Sequence, residues 1–504
     1  MLIPWSIRIR FLAVGFVAGV LVRSIVFFVR SESAYKEFSW FSSPVSFFLL
    51  VLCVTGLVVD AWTSRQRRIV YIGMGILLGV IRFDFGITPL PVFLPRPQQF
   101  FGVVVSTPTQ DRFGVSFLLH DRSDGWNVTV QGSNDASVKR GMTASVYCRL
   151  RPVISNSQAR LRGPYALEFR SLEEHVKGTC RATTLTVAGM PSRWSRIRSI
   201  PEQVRDTLAG SAGQYLSPVA AGLLKGTVLG VDSSTNASIT ESFQRTGTLH
   251  LLVVSGSHFS LLAGFLLALG SMVGMSRSFL LPAIVGMLFF FLAMIGFPPS
   301  AVRGFLASLS IYAAEVAVRP RKALHILFLI TAAMLIADPW LALFTIGFQL
   351  SVLASAGIIV FSQPLDDALA IRFRWERFMS LRSIAASSIA AIFATTPLLL
   401  WAFGSVSLIA PIANVVALLV SPLLLVAGIL YLASANLFMP FATLMAPLVD
   451  FLFRWFGELI HAFADIPYAS ITVGAIPAPI IILYYVSFLF ICWRMAFVSD
   501  NFSR

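Results

Sequence analysis

The sequence predicts a polytopic α-helical membrane protein with one small all-β domain outside the membrane. Hydrophobic residues make up 56% of the 504 residues and charged residues only 12%, whereas a soluble domain carries roughly a quarter charged residues. A helix needs ~20 mostly apolar residues to cross the hydrocarbon core. The sequence contains about 12 apolar runs of roughly this length, with an uncertainty of two. One long polar segment, residues 95–215, interrupts these runs.

The apolar runs fall into two groups. Three precede the polar segment and define an N-terminal membrane region, residues 1–94, with expected spans at 11–30, 43–60 and 69–84. The others follow it and define a C-terminal membrane domain, residues 248–504. Long continuous runs favour helices over a β-barrel, whose strands would alternate. The spans expected in the second domain are 248–275, 279–297, 300–318, 323–337, 340–361, 383–403, 410–437, 441–464 and 478–497.

The first part of the polar segment, residues 95–185, has the pattern of a small β-domain. Alternating or β-branched stretches, separated by turn formers, predict five short strands. Such a set fits an OB-like barrel, with a sandwich fragment as the alternative. The expected strands are Phe100–Ser106, Phe113–His120, Trp126–Gln131, Thr143–Leu150 and Arg160–Phe169.

Residues 186–247 are predicted to link the β-domain to the second membrane domain. The linker includes the apolar stretch Leu216–Gly230, which is too short for a full span. We expect it to form an external interfacial or re-entrant helix.

The basic residues predict one orientation in the membrane. Lys and Arg exceed Asp and Glu by 15, and short cytoplasmic loops collect Lys and Arg. Every short basic cluster agrees with an arrangement in which both termini are cytoplasmic and residues 95–215 lie outside. These clusters are at Arg8, Arg65–Arg68, Arg277, Arg319–Lys322, Arg372–Arg382 and Arg494.

The expected outside domain is itself basic. Between Arg96 and Asp206 it has 16 Lys and Arg against 9 Asp and Glu. This excess indicates an anionic partner, for which lipid headgroups and nucleic acid are the alternatives; a basic OB-like barrel favours nucleic acid. Trp126 and Tyr147 are candidates for base stacking. The candidate phosphate-binding residues are Arg112, Lys139, Arg140, Arg149, Arg151, Arg160 and Arg162.

Two of the four cysteines, Cys148 and Cys180, lie in the expected outside domain. In an oxidising compartment, closing the loop between them would stabilise the domain by ~3–4 kcal/mol. A disulfide is therefore predicted, with two free thiols as the alternative.

Polar residues are expensive within membrane spans, so those of the second membrane domain are candidate functional residues. On one continuous helix, His250, Ser257 and His258 would share a face, which could line a wet path or join helices. Prolines at 397, 411 and 422 predict broken helices, which are tolerated where the backbone lines a cavity. The full set is Gly247, His250, Ser255, Gly256, Ser257, His258, Arg303, Asp338, Gln349, Ser351, Pro397 and Asn414.

The sequence lacks the motifs of several enzyme classes. The sequence has no G-x-x-x-x-G-K-[ST] phosphate-binding loop and no H-E-x-x-H zinc motif. We therefore expect no ATP hydrolysis, no metal site, no cofactor and no catalytic residue. Beside a passage for a polyanion, two alternatives stay open: a small-solute or lipid-linked secondary transporter, and an intramembrane serine hydrolase that uses Ser255 with His250 or His258.

The same residues carry a resemblance to the ComEC competence-protein family. Phe243–Ser260 is similar to its G-T-x-H-L-L-x-x-S-G-x-H signature, and Asp338-Pro339 with Gly347–Ser351 is similar to its D-P…G-F-Q-L-S element. Ala301–Gly304 is similar to its arginine-containing span, with Gly304 where alanine is commoner. The later T-x-P-L…F-G…P-x-A-N pattern is matched at Pro397, Gly404, Ser405, Pro411 and Asn414.

This resemblance implies an inner-membrane channel that passes single-stranded DNA into the cytoplasm during natural transformation. The partners it implies are an extracytoplasmic DNA receptor, a separate nuclease, and a cytoplasmic ATPase motor or single-strand-binding proteins; a homodimer is left open. Many members carry a C-terminal metallo-β-lactamase-like domain. Here the chain stops shortly after Arg494, so a form without that domain is expected.

Overall fold

The structure is a computed structural model with two compact units. One comprises residues 84–201, and the other combines residues 1–83 with 202–504. The residues that the structure describes are 12–20, 75–82, 97–151, 176–188, 193–231, 237–317, 323–372, 379–473 and 480–487, with short gaps at 107, 112–113, 122–126, 133–137, 139, 253, 340, 342–344, 482 and 486.

The strands described within residues 84–201 form an OB-like barrel. Strands β1 and β2 pair with successive parts of β3 and so act as one interrupted strand. The ring continues from β3 to β4, β6 and β5 and closes where β5 pairs with β1. Only the β4–β6 pairing is parallel among the described strands. The strands are β1 (Gln98–Val104), β2 (Thr109–Asp111), β3 (Gly114–Asp121), β4 (Asn127–Gly132), β5 (Thr143–Arg151) and β6 (Val176–Ala188).

Alternation along the strands fills the barrel. Every second side chain of β1, β4 and β5 points inward, and the core includes Phe100, Phe117, Val130 and Val146. A closed ring replaces the sandwich alternative. The expected strand Arg160–Phe169 lies outside the described residues, whereas β6 was not predicted as a strand although its Thr- and Val-rich sequence is typical of one.

Cys148 and Cys180 join two neighbouring strands of the barrel. They are bonded as a disulfide between β5 and β6, with their Cα atoms 5.8 Å apart. Both side chains are buried in the barrel core. The covalent link therefore pins the strands on either side of a connection of 32 positions.

The other unit is helical, and the helix after the barrel, Arg193–Ala212, begins before the boundary at residue 201 and ends after it. Helices α1 (12–20) and α2 (75–82) come first. The remaining helices are α3 (Arg193–Ala212), α4 (Pro218–Leu229), α5 (Ala237–Arg245), α6 (Gly256–Met272), α7 (Arg277–Met294), α8 (Pro299–Ala317), α9 (Ala323–Ala337), α10 (Ile346–Arg372), α11 (Met379–Phe403), α12 (Ala410–Leu437) and α13 (Met439–Ala464). A short antiparallel pair, β7 (Ser405–Ser407) and β8 (Ser470–Thr472), links the start of α12 to the segment after α13.

Four of the described helices are long and apolar enough to cross a membrane: α7, α10, α11 and α12. Large apolar side chains are exposed on the bundle surface, among them Phe279 at 77% and Leu444 at 76%, as lipid-facing residues would be. The expected total of about 12 spans stays a prediction, because spans such as 43–60 lie outside the described residues.

Small residues bring α1 and α2 together. A Cβ on Gly19 would overlap the backbone of Ile76, and one on Gly79 would overlap that of Phe16, so only glycine fits. At the end of α2, Arg82 donates from Nε and Nη2 to the carbonyls of Ile336 and Ala337, at 2.7 and 2.9 Å. Helix α2 thereby caps the C-terminus of α9.

Helix α4 belongs to the bundle core. Its start is fixed by the Ser217 side chain, which accepts from the Ala220 N–H, and Asp450 Oδ1 accepts from the Ser217 N–H at 2.7 Å. Its end is fixed by Gly230 with φ +64°. Eight of its 12 residues are buried, and Leu223 and Val228 pack on α13 and α12. The expectation of an external interfacial or re-entrant helix stays a prediction.

The proline-containing helices are continuous. Pro397 and Pro422 lie inside α11 and α12, and Pro411 occupies the first turn of α12, where no N–H is needed. The predicted breaks are therefore wrong. Neighbouring helices compensate for the missing hydrogen bonds of such prolines in membrane bundles.

Candidate functional site

The first motif is folded as a turn followed by a helix. Gly247 has φ +70° and ends the α5 segment, and residues 249–251 form one 3-10 turn. Ser255 is extended at φ −107° and ψ 171°, and α6 begins only at Gly256. The prediction that His250 and His258 share a face of one helix is therefore wrong: His250 is an exposed residue of the 3-10 turn, and His258 is buried in the first turn of α6.

Ser255 and His258 form a capping box at the start of α6. The Ser255 N–H donates to His258 Nδ1 at 3.1 Å, and Ser255 Oγ lies 3.0 Å from the same nitrogen. Because Nδ1 accepts from a backbone N–H, a neutral ring carries its proton on Nε2. His258 thus occupies the position that Glu or Gln usually holds in this motif. Ser257 Oγ adds a contact to Ser255 Oγ at 2.8 Å.

Helices α6 and α8 touch through two glycines. A Cβ on Gly304 would overlap the Cα of Gly256, and a Cβ on Gly256 would lie 3.2 Å from the Cα of Gly304. Neither position has room for a side chain without moving a backbone. This contact explains the glycine at 304 and brings the Ala301–Gly304 motif onto the Phe243–Ser260 motif.

The glycine contact places Arg303 at the N-terminal end of α6. Arg303 Nη2 would lie 3.3 Å from a Cβ on Gly256, and Arg303 Nε donates to Ser351 Oγ on α10 at 2.5 Å. The guanidinium is half-buried. Within the described residues no carboxylate pairs with it. A cation beside the positive end of a helix dipole is unfavourable unless an anion joins them.

The segment of the motif that contains Gly404, Ser405, Pro411 and Asn414 contacts the Phe243–Ser260 motif at Gly247. A Cβ on Gly247 would lie 2.9 Å from Ala410 Cβ and 3.1 Å from Ser407 Cβ, at the junction of β7 and α12. Asn414 follows one turn into α12 and is 7% exposed, with its Oδ1 atom lacking a hydrogen-bond partner among the described residues. Sequence reasoning did not single out Ser407 and Ala410, because only the tertiary contact with Gly247 distinguishes them.

All four motifs lie within one matched family region. The competence protein family profile matches residues 227–497, which is more than half of the chain. The chain belongs to the competence protein family. It is also similar to ComE operon protein 3 of Bacillus subtilis, with 22% identity over 390 residues that cover 76% of this chain and 46% of that protein. The chain thus spans about half of the length of this curated relative. No solved structure matches.

Three further residues of the family motifs lie in or at the ends of helices α9, α10 and α11. Asp338 follows the last residue of α9, where its N–H donates to the Met334 carbonyl and its own carbonyl accepts from Leu341. Gln349 is 3% exposed in the first turn of α10. Pro397 is buried within α11. A passage-lining role for these three residues stays a prediction.

The basic residues predicted in the barrel of this competence-family chain are only partly described. Arg149 is exposed on β5, and Arg140 is half-buried in the turn before it. Tyr147, a predicted stacking residue, is 45% exposed on the same strand. The other predicted residues lie outside the described residues, or their side chains do: Arg112, Trp126, Lys139, Arg151, Arg160 and Arg162.

Proposed function

We propose that this chain takes up DNA in natural transformation, as an inner-membrane passage that admits a single strand to the cytoplasm. In this proposal the barrel lies outside, both termini are cytoplasmic and about 12 helices span the membrane. Family membership supports the role in competence, and the name of the Bacillus relative refers to the same system. The partners we propose are an external DNA receptor, a separate nuclease, a cytoplasmic motor or single-strand-binding proteins, and a second copy of the chain.

Arg303, which pairs with no carboxylate among the described residues, supports the proposal most directly. A guanidinium within a helical bundle is costly, and such residues mark ion and substrate routes. Arg303 lies beside the positive end of α6, at Gly256, and beside the hydroxyl of Ser351. These groups are suited to a phosphate, which accepts hydrogen bonds from guanidinium, hydroxyl and helix N–H groups.

The alternatives have less support. The transporter alternative relied on broken helices and on polar groups within the spans, and the first of these is missing because α11 and α12 are continuous. The hydrolase alternative relied on Ser255 with a histidine base. Ser255 Oγ is within bonding distance of His258, but the same nitrogen already accepts the backbone N–H of Ser255. We therefore propose that the pair caps a helix and that the chain is not an enzyme.

The test is DNA uptake in competent cells that lack the chain. Wild type should restore transformation, Arg303→Lys should restore part of it, and Arg303→Ala should reduce it at least a hundredfold, because the phosphate loses its cationic partner. Arg454→Ala is the matched control, since Arg454 is a 57% exposed arginine of the same unit. Full uptake with Arg303→Ala, at equal protein levels in the membrane, would contradict the proposal.

A further inference from the structure

One outward face of the barrel combines two aromatic rings. Phe101 on β1 and Tyr147 on β5 are 47% and 45% exposed. The register pairs Gln99 with Tyr147 and Phe101 with Ser145, so the two rings are diagonal neighbours on the same side of adjacent strands. Diagonal side chains of this kind are roughly 7–8 Å apart, within reach of one extended ligand.

Two arginines continue this face. Arg149 follows two residues after Tyr147 on β5, and therefore points the same way. It lies directly opposite Arg181 on β6, and both are exposed. Like charges directly opposite each other destabilise a sheet. Neither arginine pairs with a carboxylate within the part of the chain that the structure describes, so this face favours an anionic ligand.

The outward face of strands β3 and β4 differs from this face in its charge. The outward residues of β3 and β4 are Ser116, Leu118, His120, Asn127, Thr129 and Gln131. They include neither Arg nor Lys, and His120 bonds to Asn127 at 3.0 Å. OB-folds commonly bind oligonucleotides on their second and third strands, which β3 and β4 represent here. In this barrel the exposed aromatic rings and arginines lie on β1, β5 and β6 instead.

We propose that Phe101, Tyr147, Arg149 and Arg181 form a platform for single-stranded DNA. Bases stack on the two rings, and the backbone phosphates lie between the two arginines. A duplex would keep its bases stacked on each other, so the rings select an unpaired strand. The platform rests on the proposed function, since it assigns the barrel its ligand. Phe101 and Arg181 are new to this role, because only strand pairing brings them beside Tyr147 and Arg149.

The test uses the purified full chain in detergent with two fluorescent probes, a 15-residue oligothymidine and an abasic strand of the same length. Phe101→Ala with Tyr147→Ala should weaken oligothymidine binding at least tenfold and leave the abasic strand unchanged, since only bases stack. Arg149→Gln with Arg181→Gln should weaken both probes and lower the salt slope by about 1.4, or ~0.7 for each lost phosphate contact on a single strand.

The control is Thr129→Ala with Gln131→Ala on the outward face of β3 and β4, which should change neither probe. All substituted side chains are at the surface of the barrel, and formation of the Cys148–Cys180 disulfide reports that each variant barrel is folded. If wild type binds oligothymidine and the platform variants bind it equally well, this proposal is wrong, although the proposed function stands; a face that serves anionic lipid gives the same result. If wild type binds neither probe at low salt, the role of the barrel in the proposed function is contradicted as well.

Discussion

At the scale of single residues, two glycines decide where the candidate site forms. Gly256 and Gly304 allow α6 and α8 to meet backbone to backbone, and that contact sets the position of Arg303. Arg303 in turn reaches Ser351, so three distant parts of the sequence meet around one guanidinium. The backbone contact is therefore a condition for the chemistry.

Gly304→Ala is expected to separate α6 from α8 and to impair the site. Overpacking of this kind costs about 1–3 kcal/mol, and we expect transformation to fall at least tenfold. Gly264→Ala is the control on α6, the helix that Gly304 contacts, because a Cβ there would meet nothing within 4 Å. Thermal unfolding in detergent and transformation frequency measure the two effects; equal behaviour of both variants would refute the backbone contact.

His258 is a second residue whose role can be separated by substitution. As a cap, it needs only a hydrogen-bond acceptor for the Ser255 N–H, which glutamine also provides. His258→Gln should therefore retain most DNA uptake, whereas His258→Leu should lose a cap worth about 0.5–2 kcal/mol. Transformation at matched protein levels measures this. Inactivity of both variants alike would show that the imidazole itself is required and would revive a role beyond capping.

At the scale of elements, α10 and α11 form a helical hairpin with an ion pair at one end. Arg382 donates from Nε and Nη2 to the two carboxylate oxygens of Asp366, at 2.8 and 2.9 Å. The two side chains are only 18% and 17% exposed. A bidentate pair that is shielded from water contributes more than a surface pair, and it fixes the register of the hairpin.

Breaking this pair should destabilise the hairpin. We expect Arg382→Ala to lower the free energy of unfolding by more than Arg454→Ala does, because Asp366 loses two charge-assisted hydrogen bonds. Arg454→Ala provides the comparison, since its contact to Asp450 is 3.5 Å long and its side chain is 57% exposed; such surface pairs contribute about 0–1 kcal/mol. Denaturation in mixed micelles measures both, and equal losses would show that burial of the first pair is unimportant.

At the scale of the whole molecule, the disulfide reports on the compartment of the barrel. A Cys148–Cys180 bond forms and persists only in an oxidising compartment. Its loss should lower barrel stability by ~3–4 kcal/mol. The bond thus connects a covalent feature of one domain to the orientation of the entire chain.

This connection can be measured by counting thiols. After rapid denaturation of cells, a maleimide-polymer should label Cys53 and Cys492 without reductant, and all four cysteines after reduction. Cys148→Ser should raise the count before reduction to three. Labelling of all four cysteines without reductant would place the barrel on the reducing side of the membrane and contradict the proposed orientation.

The sequence by itself determined the classes of structure. Composition and long apolar runs indicate membrane helices. The predicted bounds 323–337 and 410–437 agree with α9 and α12, because the length of an apolar run can be read from neighbouring residues alone. Alternation predicted the strands near β1, β3, β4 and β5 for the same reason. The motifs around Gly247, Arg303 and Ser351 also identified the family to which the chain belongs.

Only the tertiary structure decided which of these residues meet. Whether His250 and His258 share a helix depended on a glycine turn and a capping box, and whether prolines break a helix depended on the neighbours that pack around it. Gly304 contacts Gly256, and Arg181 faces Arg149, through helix crossing and strand register. Contacts between distant segments are set by packing of the whole chain, and no local pattern of residues encodes them.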